Sequence, residues 1–187
     1  TLRETQGIYY AIWPRTGGRA ADELTDENLR VMGRLLARIH NIGAAREIEH
    51  RPTLTGDTYG LKPLAFLKEN GFLPAQLVRR YSDAVHEIVT IYDALSAEVP
   101  FHRIHGDCHF GNLLNGGEGL YVLDFDDFLK GPAVQDVWML VPARDQEGLR
   151  QRDVFLDAYR TFREFDPTWL RLIEPLRSLR YIRYAGW

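Results

Sequence analysis

Five residues, Asn115-Gly116-Gly117-Glu118-Gly119, separate the apolar stretches 113–114 and 120–125. Asparagine and glycine supply the positive φ that a tight reversal needs, and the flanking residues suit strands, so the segment predicts a β-hairpin. A hairpin brings its two ends together. One end follows His105-Gly106-Asp107-Cys108-His109-Phe110-Gly111-Asn112, and the other runs into Asp124-Phe125-Asp126-Asp127. Two polar clusters thereby become neighbours in space.

Around the hairpin the chain reads as helical. Thr25 is a candidate N-cap, followed by Leu29, Met32, Leu35, Leu36 and Ile39 at helical spacing and by Gly43 as a stop. Residues 44–62 have few periodic apolar positions and read as a loop, with a short helix over 63–69 ending at Gly71. A long helix is predicted over 74–98, with Leu77, Tyr81, Val85, Ile88, Tyr92 and Leu95 on one stripe before Pro100. Gly131-Pro132 is read as the start of a helix that carries Gln135, Asp136 and Trp138, and two more helices are expected over 147–164 and 167–183. Residues 8–13 suit a strand that ends at Pro14 and has no partner nearby, and Arg15-Thr16-Gly17-Gly18-Arg19-Ala20 reads as a flexible turn. The expected class is α+β, mostly helical with one small hairpin.

Composition excludes several function classes. The net charge is −3, and the arginines between 144 and 183 alternate with Asp145, Glu147, Asp153, Asp157, Glu164, Asp166 and Glu174. That pattern describes solvated helix faces, so no nucleic-acid partner is expected. Cys108 is the single cysteine, which rules out an internal disulfide and a cysteine-based zinc site. With no signal peptide and no run of eighteen apolar residues, neither a membrane span nor export is expected, and the anticipated location is cytoplasmic. Nothing in the sequence sets the oligomeric state, and a monomer is the expectation.

The paired clusters have the donors that phosphoryl transfer needs. Such transfer requires Mg2+ held against phosphates and an acceptor hydroxyl placed beside a carboxylate. Mg2+ takes hard oxygen ligands and keeps several waters, so one carboxylate and one amide oxygen suffice; Asp124 and Asn112 are the candidates. Asp107 remains as the acid that orients the hydroxyl and accepts its proton. The spacing His105-x-Asp107 followed by Asn112 matches the His-x-Asp-x4-Asn of a kinase catalytic loop, with Asp124 in the place of the later metal-binding aspartate.

The stretch 105–114 resembles the His-Gly-Asp-x-His-x-Gly-Asn signature of the aminoglycoside/choline phosphotransferase family, whose fold is protein-kinase-like. The resemblance extends over nearly the whole chain. Leu36-Ala37-Arg38-Ile39-His40 is similar to a family helix that ends in Leu-His, and residues 131–140 resemble the helix after the metal aspartate. His-Gly-Asp-Cys-His, the acid pair 126–127, Gly-Pro-Ala-Val-Gln-Asp and Ile173-Glu174-Pro175-Leu176-Arg177 together look like the bacterial stress response kinase A branch, described as serine/threonine protein kinases.

By that resemblance Asp107 is the catalytic base, Asn112 and Asp124 are the magnesium ligands, and Asp136 braces the catalytic loop through backbone amides. His109 is a candidate for offsetting charge on the transferred phosphate. Residues 1–14 correspond to the last strand of the N-terminal lobe and the hinge, where Ile12 and Trp13 would meet adenine. Residues 15–187 correspond to the C-terminal catalytic lobe, truncated at its end. The implied partners are ATP and a hydroxyl acceptor, either serine or threonine of proteins in a stress response or a small alcohol such as choline, an aminoglycoside or a sugar-like compound. A metallophosphoesterase and a non-catalytic binding module are distant alternatives.

Several positions have plainer readings. Asp and Asn are common in turns. Asp126 and Asp127 suit loop capping as well as a second metal or a basic substrate, and His105 suits packing beneath the loop. Cys108 can be a redox switch or a small hydrophobe, and Tyr9, Tyr10 and Trp13 can be strand core. His40, His50, His86 and His102 show no partner pattern. No glycine-rich nucleotide loop or strand lysine can be placed before residue 8, so this chain by itself is expected to have negligible kinase activity. ATP turnover by the 187-residue chain at a rate comparable with that of a longer chain would contradict this.

Overall fold

The first reversal in the chain falls at Gln6-Gly7, where both residues have positive φ, 51° and 79°. Two consecutive positive φ values suit the tight hairpin turn whose twist matches that of its strands. In the computed structural model, which describes residues 2–15, 17–20, 25–117 and 119–187, strand β1 (Leu2–Thr5) therefore pairs antiparallel with β2 (Ile8–Ala11). The strand expected over 8–13 exists, but it ends at Ala11 and has a partner that the sequence reading did not find. Thr16 and Glu118, which belong to two of the expected turns, lie outside the described residues, as do residues 1 and 21–24.

A three-stranded sheet follows the order β3 (Arg19–Ala20), β5 (Leu113–Gly116), β6 (Gly119–Val122). The last two form the expected hairpin, with Leu113 opposite Val122 and Gly116 opposite Gly119. Arg19 and Ala20, read as part of a flexible turn, instead pair with Asn115 and Leu114 at its edge. A second two-stranded sheet joins β4 (Phe101–Ile104) to β7 (Leu129–Pro132). The Gly131-Pro132 pair thus ends a strand rather than starting a helix. Proline is tolerated at a strand terminus, and α4 (Val134–Leu140) begins just after it.

Helix α1 (Asp26–Ala44) starts where expected, with the Thr25 hydroxyl accepting the Asn28 N–H at 3.2 Å. A single π-helical turn over Asp57–Leu61 runs directly into α2 (Lys62–Glu69), so the expected short helix begins earlier than its sequence pattern suggests. Helix α3 (Ala75–Ser96) buries Val85, Val89 and Tyr92, and the Tyr92 hydroxyl donates to the Leu54 carbonyl at 2.9 Å. Helix α5 (Gln146–Arg160) packs along α1. The expected helix 167–183 divides into a 3-10 segment, Pro167–Leu172, and α6 (Ile173–Ala185). Pro175 accounts for the division: its ring would clash with the carbonyl one turn earlier, whereas in the first turn of α6 its missing N–H costs nothing.

The core lies between α1, α5, α4 and α6. All seven residues of α4 are buried, including the polar Gln135 and Asp136. Leu29, Leu36, Phe155, Tyr159, Leu172 and Leu179 are almost wholly enclosed, and each such side chain contributes roughly 1.5–3 kcal/mol by leaving water. Where α1 crosses α5, Gly33 lies against the Phe155 carbonyl, and a methyl group there would fall on that oxygen. Beneath this crossing His102 of β4 is 8% exposed and packs edge-on to His40 at 5.0 Å.

Gly33→Ala is expected to force the two helices apart and to cost about 1–3 kcal/mol, read as a lower denaturant midpoint; an unchanged midpoint contradicts that contact. His102 supplies a pH-dependent test. Burial, followed by the charges of His40 and Arg163, lowers its pKa from 6.5 to about 3, with Asp136 opposing in part. Neither ring nitrogen has a hydrogen-bond partner among the described residues. As pH falls below about 6.5 the unfolded chain binds a proton here that the folded chain does not, so stability is lost, at up to about 1.4 kcal/mol per pH unit. His102→Leu should flatten stability against pH between about 6.5 and 4. An equally steep profile in that variant contradicts the assignment.

Candidate active site

The site is organised from beneath, by Asp136 in the buried helix α4. Its carboxylate is 0% exposed. One oxygen accepts the Gly106 N–H at 2.8 Å; the other accepts the His105 N–H at 2.9 Å and meets His40 Nε2 at 3.0 Å. Burial by itself disfavours this charge, but the hydrogen bond and charge of His40 and the Gly106 amide outweigh it, and the pKa lies below the usual carboxylate value. His40 is anchored in turn, with Nδ1 2.8 Å from the buried Tyr159 hydroxyl of α5. The bracing geometry implied for Asp136 is therefore present. His40, which the sequence left as filler, is part of the brace.

Gly106 and His105 tie the loop to the hairpin. Gly106 has φ +85°, and a β-carbon there would sit 2.7 Å from the Asp127 carbonyl oxygen, so only glycine allows this approach. His105 Nε2 donates to the Leu123 carbonyl at 2.8 Å, and its Nδ1 accepts the Asp107 N–H at 3.3 Å. Its ring also packs on Phe125 at 4.6 Å. With one nitrogen donating and the other accepting, His105 holds the loop against the end of β6 in the structural manner expected.

Asn112 and Asp124 lie at the same end of the β5–β6 hairpin. The Leu123 N–H donates to the Asn112 carbonyl at 2.8 Å, and Asp124 is the next residue. The Asn112 side-chain NH2 donates to the Asp107 carbonyl at 2.9 Å, an orientation that leaves its amide oxygen facing away from that bond. Asp124 adopts the left-handed conformation, φ 60° and ψ 65°, which an L-residue other than glycine holds at a cost on the order of 1 kcal/mol. Its exposed carboxylate makes no capping bond to the 3-10 turn that follows it. Among the described residues no group of three or more His, Cys, Asp or Glu is set to hold a metal by itself. An amide oxygen and one carboxylate with no capping bond, carried at the same end of a hairpin, are the sparse, hard donor set that suits Mg2+, which keeps waters and phosphate oxygens as its other ligands.

Asp107 projects from the loop with its side chain 16% exposed. One carboxylate oxygen pairs with Arg180 Nη2 of α6 at 2.5 Å, and the other faces His109 Nε2 at 3.5 Å. His109 Nδ1 accepts the Gly111 N–H at 3.0 Å, so the ring proton lies on the nitrogen that faces Asp107. Arg180 was missed because the arginines of this region were read as solvated faces. A signal was present: Arg177, Arg180 and Arg183 recur every three residues with no acid among residues 175–187. A cleft of about 260 Å3 opens at Asp107, lined also by Arg51, Tyr59, Asp127, Arg180 and Arg183.

The other candidates fall elsewhere. Ile12 and Trp13 follow β2, are 72% and 76% exposed, and do not line this cleft. Asp126 lines the cleft and its backbone carbonyl accepts from Arg51. Cys108 is fully buried, and burial holds its thiol well above the ordinary value, so it is packed as a small hydrophobe. No helix among the described residues is long and apolar enough to cross a membrane.

Comparison with known proteins gives this geometry a family. The chain is 36% identical over 188 aligned residues to stress response kinase A of Escherichia coli (strain K12), covering 100% of this chain and 57% of that protein. It is 33% identical, with the same coverage, to serine/threonine protein kinase RdoA of Salmonella typhimurium. The chain thus spans a little over half the length of the curated relatives it matches. Among solved structures, an amicoumacin kinase in complex with AMP-PNP, Ca2+ and its antibiotic superposes with a TM-score of 0.69 at 18% identity, over 92% of this chain and 55% of that one. The likeness shows a partial protein-kinase-like fold, α+β as expected. The model of the phosphotransferase enzyme family matches residues 1–173, and the chain belongs to that family.

Proposed function

We propose that this chain is the large lobe of an ATP- and Mg2+-dependent kinase that moves the γ-phosphate to a hydroxyl, with serine or threonine of proteins as the leading acceptor. On this reading residues 1–14 form the end of the small lobe and the hinge, with Ile12 and Trp13 beside adenine, and residues 15–187 form the catalytic lobe. The observation that carries the proposal is the joint placement of Asp107, Asn112 and Asp124 around one end of the β5–β6 hairpin, on a loop clamped by a buried carboxylate.

In that arrangement Asp107 accepts the proton of the incoming hydroxyl as its oxygen attacks phosphorus. Arg180 and His109 on its two oxygens fix the direction in which the carboxylate points. Asn112 Oδ1 and the Asp124 carboxylate would hold Mg2+, which when bound offsets negative charge on the phosphates. The Asn112 amide group also ties the metal side of the site to the backbone of the base, so the two move together. The protein's contribution is mainly positioning and electrostatics, as phosphoryl transfer requires.

The name of the Salmonella typhimurium relative supports a protein acceptor. A small-alcohol acceptor is the second reading, supported by a cleft of about 260 Å3 at the candidate base, enough for a compact ligand. Labelled-phosphate transfer to a generic protein and to a panel of alcohols, measured on a protein of the relatives' full length, separates the two. Asp107→Asn should lower transfer by about 10²–10⁴-fold, and His109→Ala should lower turnover as well. Asp124→Asn should raise the divalent-ion concentration needed for half-maximal rate. Wild-type rates in Asp107→Asn, or an unchanged metal requirement in Asp124→Asn, contradict the corresponding assignment.

A further inference from the structure

The three arginines of α6 meet different fates, and the difference points to the acceptor. Residues three apart on a helix share a face, so Arg177, Arg180 and Arg183 form one row. Arg177 pairs with Glu174 at 3.9 Å, and Arg180 pairs with Asp107. The Arg183 guanidinium makes no ion pair or hydrogen bond among the described residues. Arg183 is partly buried in the cleft wall, with its guanidinium 4.6 Å from the Tyr59 ring centroid. Stacking occupies the flat face of a guanidinium and leaves its in-plane N–H groups, the ones that grip a carboxylate, directed away from the ring. Arg51 lines the same cleft stacked on Phe128 at 4.2 Å, and among the described residues its side-chain hydrogen bonds go only to the backbone carbonyls of Asp126 and Phe128.

A partly desolvated charge with no counter-ion is unfavourable unless a ligand supplies one. Asp107 is taken by Arg180; Asp126 and Asp127 line the same cleft on the turn just after Asp124, but among the described residues neither forms an ion pair with Arg183. We infer that Arg183, with Arg180 beside it, binds a carboxylate carried by the acceptor next to the hydroxyl that receives phosphate, so the preferred acceptor is a serine or threonine flanked by an acidic residue. The inference rests on the reading of Asp107 as the base. Side chains three apart on a helix have β-carbons about 5–6 Å apart, and an extended peptide advances about 3.3 Å per residue. The recognised acid therefore lies within about two residues of the acceptor hydroxyl.

The test uses three short peptides that share a central serine and carry Asp, Asn or Lys at the next two positions. Their binding to this chain is measured by calorimetry or NMR titration, which needs no turnover. The Asp peptide should bind about tenfold more tightly than the Asn peptide, the scale of a charge-assisted hydrogen-bonded pair. The Lys peptide should bind least. In Arg183→Gln the Asp-to-Asn ratio should fall close to one, and Arg183→Lys should restore only part of it, since a point charge lacks the planar fork. In the unsubstituted chain the same ratio should shrink as salt is raised. Equal binding of the Asp and Asn peptides, or tighter binding of the Lys peptide to Asp126 and Asp127, overturns the inference. Labelled-phosphate transfer by the full-length protein keeps the two readings apart. Transfer with no acid preference overturns only this inference, whereas acid-dependent binding with no transfer to any hydroxyl acceptor overturns the kinase reading alone.

Discussion

A buried carboxylate that accepts two consecutive backbone N–H groups fixes two peptide planes at once, and Asp136 does this for His105 and Gly106. Leaving such a charge without its partners inside a protein costs about 3–5 kcal/mol, so the loop cannot drift from α4 cheaply. His40 closes the third side of the carboxylate and transmits the constraint to Tyr159 and the α1–α5 pair. The polar loop that holds the candidate base is thereby fastened to the hydrophobic core rather than to other surface loops.

From that anchor the rest of the site follows in short steps. Gly106 lets the loop touch the backbone of Asp127, and His105 bonds the end of β6. Asn112 bonds both the Asp107 carbonyl and the residue before Asp124. Each contact links the segment before the hairpin to the segment after it. The strained backbone at Asp124 is tolerated because its neighbours on both sides are held. Chemistry that depends on placement more than on reactivity needs this kind of rigidity.

Much of this was legible in the residues because local rules and chemistry agreed. The Asn-Gly-Gly-Glu-Gly turn announced the hairpin, and the spacing of Asp107, Asn112 and Asp124 announced what its ends carry. The turn at Gln6-Gly7 was harder to see, because glutamine is not a residue that favours positive φ and the strands around it are short. Strands β4 and β7 were hidden for a different reason. Their pairing joins Phe101 to Pro132 across the loop and hairpin of the candidate site, and no local pattern encodes a contact at that separation. Arg180 escaped in the same way: its partner Asp107 lies 73 residues away. Only the absence of acids after Glu174 hinted that the arginines of α6 look inward.

The central claim is that the Asp136 brace sets Asn112 and Asp124 around one divalent ion beside Asp107. Mn2+ titrated into the protein with ADP, and followed by paramagnetic broadening of individual NMR signals, tests it directly. The account predicts that the Asn112 side-chain NH2 and the Asp124 amide broaden first and together, and that Asp136→Asn uncouples them while the protein stays folded. Broadening centred on other residues, or a pattern unaltered by Asp136→Asn, would contradict it.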